Sequence, residues 1–343
     1  MDAKQAFRSI KQGSTAPIYV CYGTESYIMN EFIERLLEKL VEPEHREMAV
    51  VRFETGETPL DSIIEEAETL PFLVPSKIVL VRDSVLFASG KESSRVEHRP
   101  ERLLAYMGQP SETTVLVFIV PHEKLDERKK LVKTAKSNDS VISFTPLQSE
   151  ELLQWLLKRV SNQGRSMANQ AAEELLRRVG TDMHALAAET DKLCLHAGIG
   201  GTVTTESVNA LVPIATEQNV FRLTEELAAL RTAEAITLYY DLLKQREEPI
   251  KLMALLVRQF RNMLYVKELG SQGYSPQQMA SQLGLHPYAV KITGEQARKF
   301  SQERLASMLS ELADLDYSMK TGRIEKALGL ELFLLKTGSA GAS

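Results

Sequence analysis

Residues 17–32 read PIYVCYGTESYIMNEF, and this stretch decides the fold. An apolar run, Ile18-Tyr19-Val20-Cys21-Tyr22, reaches Gly23 and passes into an amphipathic helix. Over 27–41 that helix places Ile28, Phe32, Ile33, Leu36, Leu37 and Leu40 on one stripe. Strand, glycine turn, helix is the layout of a phosphate-binding loop. A working loop of that kind reads GxxxxGK[ST]: backbone N–H groups cradle the phosphates, the lysine neutralises them and the hydroxyl holds Mg²⁺. Here the turn is Gly23-Thr24-Glu25-Ser26. No lysine follows, and Glu25 brings negative charge toward the place where phosphates would sit. The Gly90-Lys91 pair is followed by Glu92 and lacks the upstream glycine, and Pro121-His122-Glu123 stands where an acidic Walker B ending would follow the strand before it. The residues argue against a nucleotide site and leave Gly23 as a strand-to-helix turn.

Working outward, residues 1–145 alternate strands and helices. Strands are predicted at 18–22, 48–53, 77–82, 114–120 and 141–144, short and rich in Val and Ile. Runs of this kind suit strands buried on both faces of a largely parallel sheet. A second helical stripe carries Leu60, Ile63, Ile64 and Ala67. After Pro146 the strands are expected to stop. Ser149 is the expected N-cap of a helix over 149–162, followed by helices at 168–179, 181–197 and 204–211. The stretch 196–204, HAGIGGTVT, reads as a loop. From Pro213 onward helices are predicted at 218–230, 232–246, 249–270, 275–283, 287–298, 301–320 and 323–337. Pro249, Pro276 and Pro287 suit first-turn positions, and the tail TGSAGAS is expected to fray. The predicted organisation is an α/β domain over 1–145, a small helical domain over 146–212 and a larger helical domain over 213–343.

Composition excludes several classes. The chain has 343 residues, 43% hydrophobic and 25% charged, which is ordinary for a globular protein of two or three domains. No stretch approaches the ~20 apolar residues of a membrane span. The start, MDAKQAFRSIKQG, has no apolar core, so no signal peptide is expected. Cys21 and Cys194 are far apart and outside any CxxC or Cys/His cluster, which argues against zinc and fits a reducing cytoplasm. A net charge of −5 argues against coating nucleic acid by bulk charge. The six histidines form no HExxH pattern and there is no GxSxG. The acidic run Glu65, Glu66, Glu68 reads as a solvated helix face.

The stretch EAETLPFLVPSKIVLVRD (66–83) is the most unusual. Pro71 ends the helix, and Leu70, Phe72, Leu73 and Val74 follow before Pro75 and the next strand. Two readings stand open. In one, these side chains turn inward and close the end of the core; on pattern alone this is the simpler reading. In the other they protrude, with Leu70, Phe72 and Leu73 filling a pocket on a partner. Basic residues occur in DERKKLVKTAK (126–136), in VRQFRNMLYVK (Arg258, Arg261, Lys267) and in YSMKTGR (Lys320, Arg323). They form no aromatic-interleaved groove, so autonomous DNA binding is not expected.

Taken in order, PIYVCYGTESYIMNE, AETLPFLVPSKIVLVRD, ETDKLCLHAG (189–198), QNVFRLTEELA (218–228), KLMALLVRQFRNML (251–264), LGLHPYAVKITGEQARKFS (283–301) and DYSMKTG (316–322) resemble one family over nearly the whole chain. That family is the delta subunit of bacterial DNA polymerase III, the clamp-loader subunit that opens the sliding clamp. The resemblance implies an AAA+-like N-terminal α/β module with a degenerate P-loop at Gly23, Thr24, Glu25 and Ser26. It also implies a small helical lid and a C-terminal helical collar that assembles with the ATPase motor subunits and delta-prime. It assigns the clamp-binding element to Leu70, Pro71, Phe72 and Leu73. It further implies a non-catalytic subunit of a DNA-directed DNA polymerase holoenzyme, without cofactor, metal or membrane, acting on primer–template DNA within a cytoplasmic assembly. Lys320 and Arg323 are candidates for DNA proximity on position alone. The competing readings are an active P-loop ATPase of replication or repair, a helical scaffold without clamp contact, and an autonomous DNA-binding protein.

Overall fold

The computed structural model describes residues 1–89 and 96–339. The chain divides into two compact units, Met1–Pro146 and Leu147–Ser343. The first contains α1 (Ala3–Lys11), β1 (Ile18–Tyr22), α2 (Ser26–Leu40), α3 (Arg46–Ala49), β2 (Val50–Glu54), α4 (Leu60–Glu68), β3 (Lys77–Arg82), α5 (Pro100–Gly108), β4 (Thr114–Val120), α6 (Lys130–Ser137) and β5 (Val141–Ser143). All strand pairs are parallel and the order is β2-β3-β4-β1-β5. Ile18 lies beside Leu116 and Val20 beside Val141, so β1 is an interior strand between β4 and β5.

Continuous apolar strands follow from cover on both faces. On one face Ile18 and Val20 of β1, Val79 and Val81 of β3, and Leu116 and Phe118 of β4 pack with Ile63 and Ile64 of α4, Leu103 of α5 and Leu131 of α6. On the other, Tyr19 meets Phe32 of α2 edge-on at 5.5 Å, and Phe32 also meets Phe7 of α1 at 5.7 Å and Phe144 at 5.7 Å. The strand at 48–53 in fact begins two residues later, at Val50: Met48 is exposed and belongs, with Ala49, to α3. The strand at 141–144 ends at Ser143. The Gly90-Lys91 pair falls outside the described residues, as does the end of the tail.

The second unit contains α7 (Ser149–Asn162), β6 (Ser166–Met167), α8 (Asn169–Val179), α9 (Met183–Ala197), β7 (Thr202–Val203), α10 (Thr205–Leu211), α11 (Thr216–Ala228), α12 (Thr232–Lys244), α13 (Pro249–Ser271), α14 (Pro276–Leu283), α15 (Pro287–Ala297), α16 (Gln302–Lys320) and α17 (Lys326–Ser339). Two sequence expectations are corrected here. Strands do not stop at Pro146: β6 and β7 pair in parallel, Met167 beside Val203, and the hydroxyls of Ser166 and Thr202 meet at 2.8 Å. The cap of α7 is Gln148 rather than Ser149, and the Gln148 N–H donates to the Glu151 carboxylate at 3.0 Å. Pro249, Pro276 and Pro287 each open a helix as expected. The core of 213–339 gathers on α13, where Phe260 meets Phe300 and Phe333 in edge-on contacts at 6.2 and 6.4 Å.

Candidate functional site: a closed turn and an open loop

The turn after β1 is built by one glycine. Gly23 has φ +133°, and a Cβ there would lie 1.9 Å from the carbonyl oxygen of Phe144, so no other residue fits without moving the backbone beyond β5. Four N–H groups around the turn, those of Gly23, Glu25, Ser26 and Tyr27, are already committed. Gly23 donates to Val120 O at 3.2 Å, Glu25 to Phe144 O at 3.1 Å and Ser26 to Thr24 O at 3.1 Å. The Tyr27 N–H donates to the Glu25 carboxylate at 3.2 Å, which makes Glu25 the N-cap of α2. A helix N-terminus attracts an anion because its first N–H groups lack partners and its dipole is positive there. At α2 that anion is the chain's own carboxylate.

The stretch after α4 is the opposite case. Leu70, Phe72 and Leu73 are 82%, 74% and 72% exposed, while Pro71 and Val74 are half-buried. The inward reading of this loop is therefore corrected: it does not close the core, because Leu60, Ile63, Ile64 and Ala67 of α4 already complete that end of it. Leu73 has φ +59°, the left-handed region, which costs a non-glycine residue roughly 1 kcal/mol or more. Both ends of the loop are tied down. The Thr69 hydroxyl donates to Glu66 O at 2.8 Å, the Ser76 hydroxyl donates to Leu40 O at 3.2 Å, and the Lys77 N–H donates to Thr113 O at 2.9 Å.

Glu65 and Glu68 of the acidic run are exposed, as expected of a solvated face, while Glu66 is half-buried. Glu66 accepts from the ammonium of Lys77 at 2.6 Å, and Lys77 is buried. Glu68 pairs with Arg102 at 2.8 Å. Lys77 is a residue that sequence reasoning missed. Its only signal is a cation at the first position of an apolar strand, just after a helix end carrying Glu and Thr.

Elsewhere several cations are drawn into local contacts. Lys320 meets Asp316 at 2.7 Å and the Arg323 guanidinium lies 5.1 Å from the centre of the Tyr317 ring. Arg258 pairs with Glu217 at 2.8 Å, and Lys267 donates to Ala297 O at 3.2 Å. In the basic 126–136 stretch, Arg128 pairs with Asp126, whose carboxyl is held down to about 2 by the hydrogen bonds from Arg128. Lys129 donates to the carbonyls of Val85 and Leu86, and Lys136 meets Glu127 at 2.6 Å. Cys21 and Cys194 are both free and buried, and burial pushes the Cys21 thiol far up. No helix among the described residues is long and apolar enough to cross a membrane.

An all-parallel sheet in the order β2-β3-β4-β1-β5, with the interior strand β1 running into a glycine turn and a helix, followed by a largely helical unit, defines an AAA+-like protein. Comparison with known proteins narrows this. The family model described as DNA polymerase III, delta subunit, matches residues 19–145, and that of the DNA polymerase III delta subunit, C-terminal domain, matches 217–337. The chain is 37% identical to the DNA polymerase III subunit delta of Bacillus subtilis over 330 residues, 96% of this chain and 95% of that one. It is 22% identical to the probable DNA polymerase III subunit delta of Aquifex aeolicus over 304 residues, 87% of this chain and 85% of the relative. The solved structure of the Bacillus subtilis DNA clamp loader delta protein superposes with a TM-score of 0.83 at 36% identity, covering 98% of this chain and 99% of that one. The chain belongs to the DNA polymerase III delta-subunit family.

Proposed function

We propose that this delta-family chain is the subunit of the replicative clamp loader that grips the sliding clamp and opens one of its interfaces. The observation that carries the reading is the exposed apolar loop. Three large side chains stand in water at 72–82% exposure on a base that is hydrogen-bonded at both ends. Exposed apolar side chains of this size mark contact sites, and residues that fill a partner's pocket supply most of an interface's energy. Leu70, Pro71, Phe72 and Leu73 are the clamp-binding residues in this reading. Phe72 and Leu73 are the principal anchors.

The mechanism is mechanical. Binding that favours the open ring shifts the ring only by its differential affinity for open over closed. The chain needs no nucleotide for that step. The ATPase motor subunits expose its clamp-binding face when they bind ATP, and hydrolysis on primer–template DNA releases the closed ring. Residues 1–145 form the clamp-binding module, 146–212 a lid, and 213–343 a collar that packs with the motor subunits and delta-prime. Lys320 and Arg323 lie toward DNA in the assembly, which works in the cytoplasm. The chain is then a non-catalytic part of a DNA-directed DNA polymerase holoenzyme.

Two observations weigh against an active ATPase: Glu25 caps α2 where phosphate would bind, and no lysine follows Gly23. The test is release of the sliding clamp from nicked circular DNA. Added without nucleotide, the isolated chain is expected to speed clamp loss. A clamp that dissociates at its intrinsic rate in saturating chain contradicts the proposal, and ATP-dependent loss by the chain alone would favour the ATPase.

A further inference from the structure

Lys77 is the first residue of β3, and its side chain is only 4% exposed. Lysine is almost never buried unless it is paired. Its ammonium carries three donors, and three acceptors meet it: Glu66 O at 2.5 Å, the Glu66 carboxylate at 2.6 Å and the Thr69 hydroxyl oxygen at 2.5 Å. Glu66 O lies in the last turn of α4, where it also accepts from the Thr69 N–H and hydroxyl and where the helix dipole favours a cation. The ammonium thus joins the residues just before the apolar loop to the residue just after it. Between them, Leu70, Phe72 and Leu73 are exposed, and nothing in the core fixes their direction. Pro71 and Pro75 narrow the backbone, Leu73 takes a left-handed φ, and the Lys77 staple closes the base.

We propose that Lys77 is a positioning residue for the loop: it holds Leu70, Phe72 and Leu73 in one arrangement before a partner is met. This rests on the reading of the loop as the clamp-binding element. The physical ground is preorganisation: a loop already fixed in its bound form loses less freedom on binding. An apolar side chain of the same length would fill the space along β3 equally well. It would leave Glu66 and Thr69 to water and the loop base unfastened. A staple for the fold alone predicts lower stability with unchanged affinity of the folded protein. A positioning role predicts lower affinity and faster opening confined to the loop.

The test titrates the full chain with purified sliding clamp from the same source, as wild type, Lys77→Met, Lys77→Arg, Thr69→Val and Phe72→Ala. Amide hydrogen exchange is followed across 69–77 in each free variant. Phe72→Ala is expected to weaken binding roughly 30-fold. Lys77→Met and Thr69→Val are expected to weaken it about tenfold, with faster exchange at Leu70, Phe72, Leu73 and Val74 and unchanged exchange in β1 and β4. Lys77→Arg, which keeps the charge, recovers most of the affinity. If Phe72→Ala loses binding while Lys77→Met and Thr69→Val bind as wild type, the positioning role is overturned and the clamp reading stands. If Phe72→Ala itself binds as wild type, the clamp reading fails and the role of Lys77 falls with it. Should Lys77→Met not fold, Thr69→Val decides, since it removes one acceptor and keeps the buried cation paired with Glu66.

Discussion

Two loops at opposite ends of one sheet have gone in opposite directions. The turn after β1, at the C-terminal ends of the strands, is closed: Val120, Phe144 and Glu25 take up the N–H groups of Gly23, Glu25 and Tyr27, and Phe144 O leaves no room for a Cβ at Gly23. The loop before β3, at the N-terminal ends, is open: its polar atoms are fastened only at the base, and its large apolar groups face water. In a P-loop enzyme the chemistry sits at the first of these positions. On the proposed reading the first is scaffold here, and the second, with its exposed apolar side chains, meets the partner. If that reading holds, a fold keeps its strand–turn–helix for packing while a connector elsewhere on the sheet takes on the contact.

The comparison can be broken by substitutions whose effects should separate cleanly. The largest effect on stability belongs to Gly23→Ala. A Cβ at φ +133° and 1.9 Å from Phe144 O combines strain with a backbone clash, so a loss of roughly 3–5 kcal/mol is expected in denaturant unfolding. Clamp affinity of the folded fraction should not change. A loss below about 1 kcal/mol would mean that the turn is not as closed as it looks. Glu25→Ala removes the cap of α2 and should cost about 1 kcal/mol. It should leave ATP affinity no higher than in wild type, measured by equilibrium titration. Tight nucleotide binding in that variant would show that Glu25 alone blocks a functional pocket. The smallest effect is expected at the open loop: Phe72→Ala should change unfolding free energy by no more than about 0.5 kcal/mol, because its ring is exposed. A marked destabilisation would revive the inward reading.

Much of this contrast was legible from residues. The strands 18–22, 77–82 and 114–120 fall where their apolar runs predict, and the glycine turn without lysine is plain in Gly23-Thr24-Glu25-Ser26. Other parts were hidden for physical reasons. In α1 only Ala6 and Ile10 are buried, so its stripe is too thin to stand out. Strands β6 and β7 have two residues each, too short for any period. The direction of Leu70, Phe72 and Leu73 was not readable, because an apolar residue looks the same in a sequence whether it faces the core or water. The staple at Lys77 was hidden by the same logic reversed: a lysine is presumed exposed, and only the arrangement of α4 against β3 reveals that it is not.

The central claim is that the open loop grips the sliding clamp, and the most direct measurement is the affinity of the purified chain for the clamp of the same source without nucleotide. Wild type is compared with the Phe72→Ala/Leu73→Ala double variant, both shown to be folded by their unfolding transitions. Each anchor should contribute about 2 kcal/mol, so the double variant should bind roughly a thousandfold more weakly. Equal affinity of the two folded proteins, or no binding by the wild type, would contradict the account.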